Sequence, residues 1–440
     1  MNKKAPRNFG KKGWFLVVAG MFMMFLYATS VNDCLNVVVP AFSERFGWPP
    51  PSLYMITTIC GVISIGASLF FSFLDNKLKN QKLLMCIFVA ANTICMGLWG
   101  LSHTQGAYFA CALVNYLSAT YYIYYGFPVM LGNWFPKKMG IAMGVATAGA
   151  NVGSLTTVWL ITGCWQLVGF TKGFFLWSIV GMVTFVLTIF LKNTPEQAGA
   201  YPDNDPNITP AVMEAYRKRE KEILDSSPFT VGKILKMKTT WGIIFSCGLM
   251  VSVLCGIIAQ VVPSFMTKGL GQTQAMACMS IIAICAIFFS LFSGWMDTRF
   301  STRTSVLVCG IVICAGLAGF AIPGTAGVVF AVIAIGFLVG TGNNLSLSII
   351  HTRFGRYDGN KANTVIQPFY TALRAISAGI IATIAAGPGG YKLAYIILAI
   401  VMLIPICIMI FMKFDNVGRT DEEIEAQFGK DVIEAAHGEE

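Results

Sequence analysis

Leu74-Asp75-Asn76-Lys77-Leu78-Lys79-Asn80-Gln81-Lys82 and Met296-Asp297-Thr298-Arg299-Phe300-Ser301-Thr302-Arg303 are the two stretches on which the fold of this chain turns. Each is a short polar string that closes an apolar run, 53–74 and 275–296, long enough to cross a bilayer. Each aspartate follows a small residue three positions earlier, Ser72 or Gly294, and the two aspartates stand 222 residues apart. Pro40 and Pro263, each behind a pair of valines and ahead of a small residue and a phenylalanine, stand 223 apart. Two anchors whose spacings differ by a single residue predict a parallel duplication of a six-helix unit.

The remaining sequence agrees with that reading. The chain has 440 residues, of which 55% are hydrophobic and only 12% charged, against about 25% charged in soluble domains. Twelve apolar spans are predicted, at 14–40, 53–74, 83–101, 107–131, 141–165 and 173–191, then 240–265, 275–296, 305–322, 327–350, 362–386 and 393–411. The expected fold is therefore all-α: a polytopic membrane protein of twelve transmembrane helices in two pseudo-symmetric six-helix bundles. Residues 1–192 form the first bundle and 240–413 the second. Residues 193–239 are a central loop with an amphipathic helix, and 414–440 an acidic tail.

Of the 31 lysines and arginines, only Arg45, Lys172, Lys268 and Lys392 fall on the side opposite the termini, and Arg374 falls inside a span. The positive-inside rule then places both termini in the cytoplasm of a cell-membrane protein. The net charge of +10 is scattered over short loops, so it serves topology and not nucleic acid. The basic N-terminus precedes a run too long for a signal peptide, which is expected to remain as the first span. Thirteen cysteines are dispersed through apolar segments without a CxxC pair, so neither disulfide nor metal chemistry is expected. A nucleophile triad, a phosphate loop and HExxH are all absent from the sequence. No enzyme activity and no cofactor are expected.

The duplicated aspartate and basic loop resembles the signature after spans two and eight of the major facilitator superfamily. The second copy, with Gly294, Asp297, Arg299 and Arg303, is the fuller match. Asn133-Trp134-Phe135-Pro136-Lys137-Lys138-Met139-Gly140, followed by Gly144, Gly149 and Gly153, resembles the turn between spans four and five of the oxalate/formate antiporter-like and monocarboxylate transporters. Tyr370-Thr371-Ala372 ahead of a basic residue resembles the oxalate/formate branch, where a lysine serves the carboxylate; here the base is Arg374, one place later. The resemblance implies alternating access around a midplane cavity lined by spans one, four, seven and ten. It makes Asp75, Asp297, Arg299 and Arg303 gating residues whose charges pair and separate between states.

Arg374 lies in Asn363-Thr-Val-Ile-Gln-Pro-Phe-Tyr-Thr-Ala-Leu-Arg-Ala-Ile-Ser-Ala-Gly379, about 18 Å into a core about 30 Å thick. An arginine at that depth must face protein or water. It is expected to bind an anion, unless a carboxylate pairs with it permanently. Asp33 is the one acidic residue well inside a span; it is a proton-coupling site, that partner, or a half-solvated group near the outer end of span one. Helical spacing puts Asn115, Ser118, Tyr122 and Tyr125 on one stripe of span four, expected to face the cavity. Tyr370, Gln260 and Asn343 are further expected contacts, as is Asn151, which lies beside the position 222 residues before Arg374 and is expected to face it across the pseudo-twofold axis. The glycines of span five are expected to let the halves approach and slide.

These residues point to secondary transport of a small organic anion, a mono- or dicarboxylate, by proton symport or anion exchange. The partners expected are that anion, protons and the lipid bilayer, with the protein a monomer. Two alternatives stay open: efflux of amphipathic drugs, suggested by 33 phenylalanines and 21 methionines, and a transporter-like sensor signalling through its loop and tail.

Overall fold

In the computed structural model, residues 8–78, 80–429 and 431–432 are described. Side chains 68, 69, 72, 73, 75–77, 298, 343, 347, 356 and 360 lie outside that description. Every regular element among the described residues is helical. Eleven helices there are long and apolar enough to cross a membrane. In chain order with the twelfth, they are α1 (Gly10–Phe46), α2 (Pro50–Leu78), α3 (Gln81–Trp99), α4 (105–134), α5 (Met139–Val168), α6 (Phe170–Phe190), α7 (238–266), α8 (Gln272–Arg299), α9 (Thr302–Gly319), α10 (Thr325–Gly355), α11 (Lys361–Ala385) and α12 (Gly390–Phe411). All twelve predicted spans fall on these helices. Gly355, at φ 73°, makes the corner between α10 and α11 in the left-handed region that glycine enters without strain.

α4 differs because it is interrupted. Pro128 has no N–H for the carbonyl of Tyr124, and its ring crowds that carbonyl. The helix answers with a π turn at Tyr122–Gly126 before resuming as Phe127–Trp134. α1 carries a matching π turn at Ala28–Asn32, where the Asp33 amide donates to Ala28 O at 3.0 Å.

Two helix pairs carry much of the contact between the first six and last six spans. α2 and α11 meet where Gly61 faces Ala375 and the Gly379 amide donates to Thr58 Oγ1 at 3.2 Å. α5 and α8 meet through Trp159 Nε1, which donates to Ser280 Oγ at 3.0 Å; that hydroxyl donates on to Leu155 O. A third contact joins α1 to α7. α7 is broken between Ile258 and Val261, ahead of Pro263. The Asn36 side chain fills the break: its Nδ2 donates to Ile258 O at 2.7 Å and its Oδ1 accepts from the Val262 amide at 2.9 Å. One carboxamide thus replaces the helical rung that would join Val262 to Ile258. Pro263 also leaves Ala259 O without its helical donor, and Tyr54 Oη donates to it at 3.3 Å. Asn36 and Ile258 are 222 residues apart, the offset of the duplicated aspartates.

On the face that carries both termini, the helix Pro210–Asp225 joins the two sets of spans. Arg217 donates to Asn133 Oδ1 at the end of α4, while Arg419 donates to Ile223 O and pairs with Asp358 at 2.8 Å. Asp203 accepts the amides of Lys137 and Lys138 at the start of α5. Its burial raises its proton affinity against those two bonds. The basic segment 229–238 forms a helix only over Val231–Lys236. Ile234 is buried and the Phe229 ring packs against Phe354, while Val231 stays exposed beside the lysines. The acidic tail forms Asp421–Phe428, capped by Thr420 and Glu423.

Candidate functional site

A cavity of about 750 Å³ lies between the two sets of spans. α1 contributes Tyr27, Val31, Asn32 and Leu35 to its wall; α2 contributes residues from Thr57 to Gly66; α4 contributes Tyr116, Ala119, Thr120, Tyr124 and Tyr125. α7 adds Cys255 and Ala259, and α11 adds a stripe of Asn363, Gln367, Thr371, Arg374 and Ala378. Along α11 the lining runs from mid-span to Asn363, beside the terminal face. The Asn36 seal and the α2–α11 contacts close the other end, so the cavity reaches toward the face that carries the termini.

Arg374 projects into this space. Nη1 donates to Tyr124 Oη at 2.9 Å, Nη2 donates to Tyr27 Oη at 3.0 Å, and the guanidinium lies 5.8 Å from the Tyr124 ring centre. Among the described residues no carboxylate pairs with it. Asp33 is not its partner. That residue is 2% exposed and accepts from Ser154 Oγ of α5 at 2.7 Å, outside the cavity wall. The cavity therefore keeps a positive centre held by neutral phenols.

Several expected residues take other places. Asn115, Ser118 and Tyr122 are buried inside the first bundle, and only Tyr125 of that stripe reaches the wall. The stripe assumed a regular helix with its opposite face inward. The cavity face carries Tyr116, Thr120 and Tyr124, which stand four residues apart on one stripe, with Ala119 beside them. Tyr370 turns toward α7 and donates to Ile243 O at 3.4 Å. Gln260 joins α7 to α11 and α12: its Nε2 donates to Ala378 O at 2.9 Å and its Oε1 accepts from Tyr391 at 3.1 Å. Asn151 is partly buried on α5 and is not in the wall. The side chain of Asn343 lies outside the described residues, as does that of Asp75.

The expected gating residues of the second half bond within that half. Asp297 accepts from Ser348 of α10, Arg303 donates to Met409 O and Ile410 O at the end of α12, and Arg299 is exposed. The span-five glycines divide in two. A Cβ on Gly149 would stand 2.0 Å from Met21 O, and Gly153 packs on Ala28, so both admit α1 of the same half. Gly140 and Gly144 face open space. Close approach there serves the interior of one bundle, because the polar neighbours that join the halves lie further along α5, at Leu155 and Trp159.

Tyr27, Tyr124, Asn32 and Gln367 were not singled out from the sequence as site residues. For Gln367 and Asn363 a signal existed, since counting back from Arg374 in steps of three and four lands on Thr371, Gln367 and Asn363. For Tyr27 it was weaker: a tyrosine at mid-span, away from the interfaces where tyrosines gather.

A family model described as Major Facilitator Superfamily matches residues 122–378 and 244–434. Monocarboxylate transporter 12 of Rattus norvegicus is 22% identical over 320 residues, which are 68% of this chain and 63% of that protein, so the chain spans less than two thirds of this relative. A crystal structure of a D-xylose-proton symporter superposes with a TM-score of 0.69 at 10% identity, over 92% of this chain and 98% of that one. A structure of the xylose transporter XylE from E. coli in an inward open conformation gives 0.69 at 12%, over 94% and 99%. A bacterial homologue of the human lysosomal transporter Spinster, in an inward-facing and unoccupied conformation, gives 0.68 at 12%, over 91% and 96%. These solved structures share the fold. With a family model covering most of the chain and eleven helices among the described residues long and apolar enough to cross a membrane, the protein is a multi-pass membrane protein and belongs to the major facilitator superfamily.

Proposed function

We propose that the protein carries a small organic anion, a carboxylate, across the cell membrane by alternating access. The observation that carries this reading is Arg374, a guanidinium in the cavity with two phenols and no carboxylate against it among the described residues. A carboxylate offers such a fork two charge-assisted hydrogen bonds in a site poor in water, where they are strong. Asn32, Thr371 and Gln367 then orient the rest of the cargo. The name of the distant rat relative supports the same class.

Both termini face the cytoplasm, as the lysine and arginine distribution indicates, and the cavity in this conformation opens there. The two bundles, 1–192 and 240–413, rock about the contact of Asn36 with Ile258, with 193–239 and the tail from 414 as cytoplasmic tethers. Asp297, Arg299 and Arg303, with Asp75, form the gate of the opposite state. Asp33, buried beside Ser154, is the site of proton coupling. The cavity is built within one chain, and a monomer is the transport unit.

Drug efflux is the weaker reading, because none of the described wall residues is phenylalanine, methionine or tryptophan. A thermal-shift screen of the purified protein decides between them. Mono-, di- and aromatic carboxylates are compared with uncharged amphiphiles. A true cargo at about 100 times its Kd adds about 2.7 kcal/mol of stability. Stabilisation by uncharged amphiphiles with none by carboxylates overturns the anion reading.

A further inference from the structure

The two phenols on Arg374 come from the other half of the molecule. Arg374 is on α11, while Tyr27 and Tyr124 are on α1 and α4. Both are presented by irregular backbone: Tyr27 immediately precedes the π turn of α1, and Tyr124 lies inside that of α4. Asn32 Nδ2 donates to Tyr27 Oη at 3.3 Å, which aims that phenol. Two helices have thus each given up regular winding where a neutral oxygen meets the guanidinium.

Alternating access passes through a state closed on both sides. A guanidinium shut away from water without partners makes that state costly. A carrier whose only counter-group is the cargo crosses it when loaded and is held back when empty, which makes it an obligate exchanger.

We propose that Tyr27 and Tyr124 stand in for the cargo's carboxylate whenever the site is unloaded, so that the empty carrier crosses the closed state and the protein performs net transport. This rests on the reading of Arg374 as the anion site and adds the mode of transport to it. Tyr27 and Tyr124 are positioning residues: they hold the charge while the halves move.

The test reads the full chain in lipid nanodiscs, without added anion, by hydrogen exchange. The Val262 amide is bonded to Asn36 Oδ1 in the seal, so it exchanges when that side opens. Wild type is expected to exchange there measurably. Tyr27→Phe combined with Tyr124→Phe is expected to slow that exchange about 100-fold or more, the size of losing two charge-assisted hydrogen bonds from the closed state. Adding Arg374→Gln to that pair removes the charge and is expected to restore the wild-type rate. Unchanged or faster exchange in the double variant overturns the proposal, and so does a triple variant that stays slow. Benzoate separates this from the anion reading. If it occupies Arg374 it speeds exchange in the double variant, by supplying the missing partner. No response to benzoate, with rescue by Arg374→Gln intact, counts against the anion site alone.

Discussion

Arg374 was legible from depth and charge alone, because an arginine inside a span has few places to go. Its partners were not, since neither tyrosine is near it in sequence: they are 250 and 347 residues away. Asp33 was legible as an anomaly for the same reason, and the structure removes the one arrangement that would have cancelled Arg374. Its role in coupling has a direct check in proteoliposomes. Asp33→Asn is expected to abolish uptake driven by a pH gradient while counterflow persists; an unchanged pH response rejects the proton role. Asp358 is a different residue-scale case, in the corner between α10 and α11. Burial alone would lift its proton affinity, but bonds from Arg419 and Ser227 outweigh it and hold the carboxyl below its ordinary range. A group depressed in the fold stabilises above its unfolded value near 3.9, and that stability is lost as pH falls through the lower folded value. The pair therefore contributes fully at neutral pH and fails only in acid. Asp358→Asn leaves Arg419 without its counter-ion and is expected to cost about 3 kcal/mol in thermal unfolding at neutral pH. An unchanged melting temperature would show the pair to be neutral.

At the scale of elements, hydropathy placed all twelve spans, because each is an apolar run of membrane length. The inner surface of α4 escaped the same method. Periodicity finds stripes but not which of them faces the cavity: Asn115, Ser118 and Tyr122 share one and turn into the bundle, while Tyr116, Thr120 and Tyr124 share another and line the wall. The seal between α1 and α7 was hidden for another reason: Asn36 acts by replacing a backbone rung that a regular helix would have made itself. The glycines of α5 offer an element-level prediction. Gly149→Ala drives a methyl into the backbone of α1 and is expected to cost about 3 kcal/mol, the upper end for overpacking. Gly144→Ala meets open space and is expected to leave stability unchanged within about 0.5 kcal/mol. Equal melting temperatures for the two variants would contradict the close approach of α1 and α5.

At the scale of the whole molecule, the duplication was readable from two pairs of residues whose offsets differ by one, and the structure joins the two halves where Asn36 touches Ile258. The conformation was not readable, because one sequence serves every state of a carrier. In this one the seal is intact on one face, the cavity reaches the other, and the helix Pro210–Asp225 ties the two halves together there. In the proposed function Arg374, at the meeting of the halves, joins cargo choice to that motion, so its charge is the property to test. Equilibrium binding of the best carboxylate from the thermal screen should be compared between wild type and Arg374→Gln at fixed pH. Loss of the charged fork is expected to weaken binding roughly 100-fold, the worth of two charge-assisted hydrogen bonds. Binding within about twofold of wild type in Arg374→Gln would contradict the account.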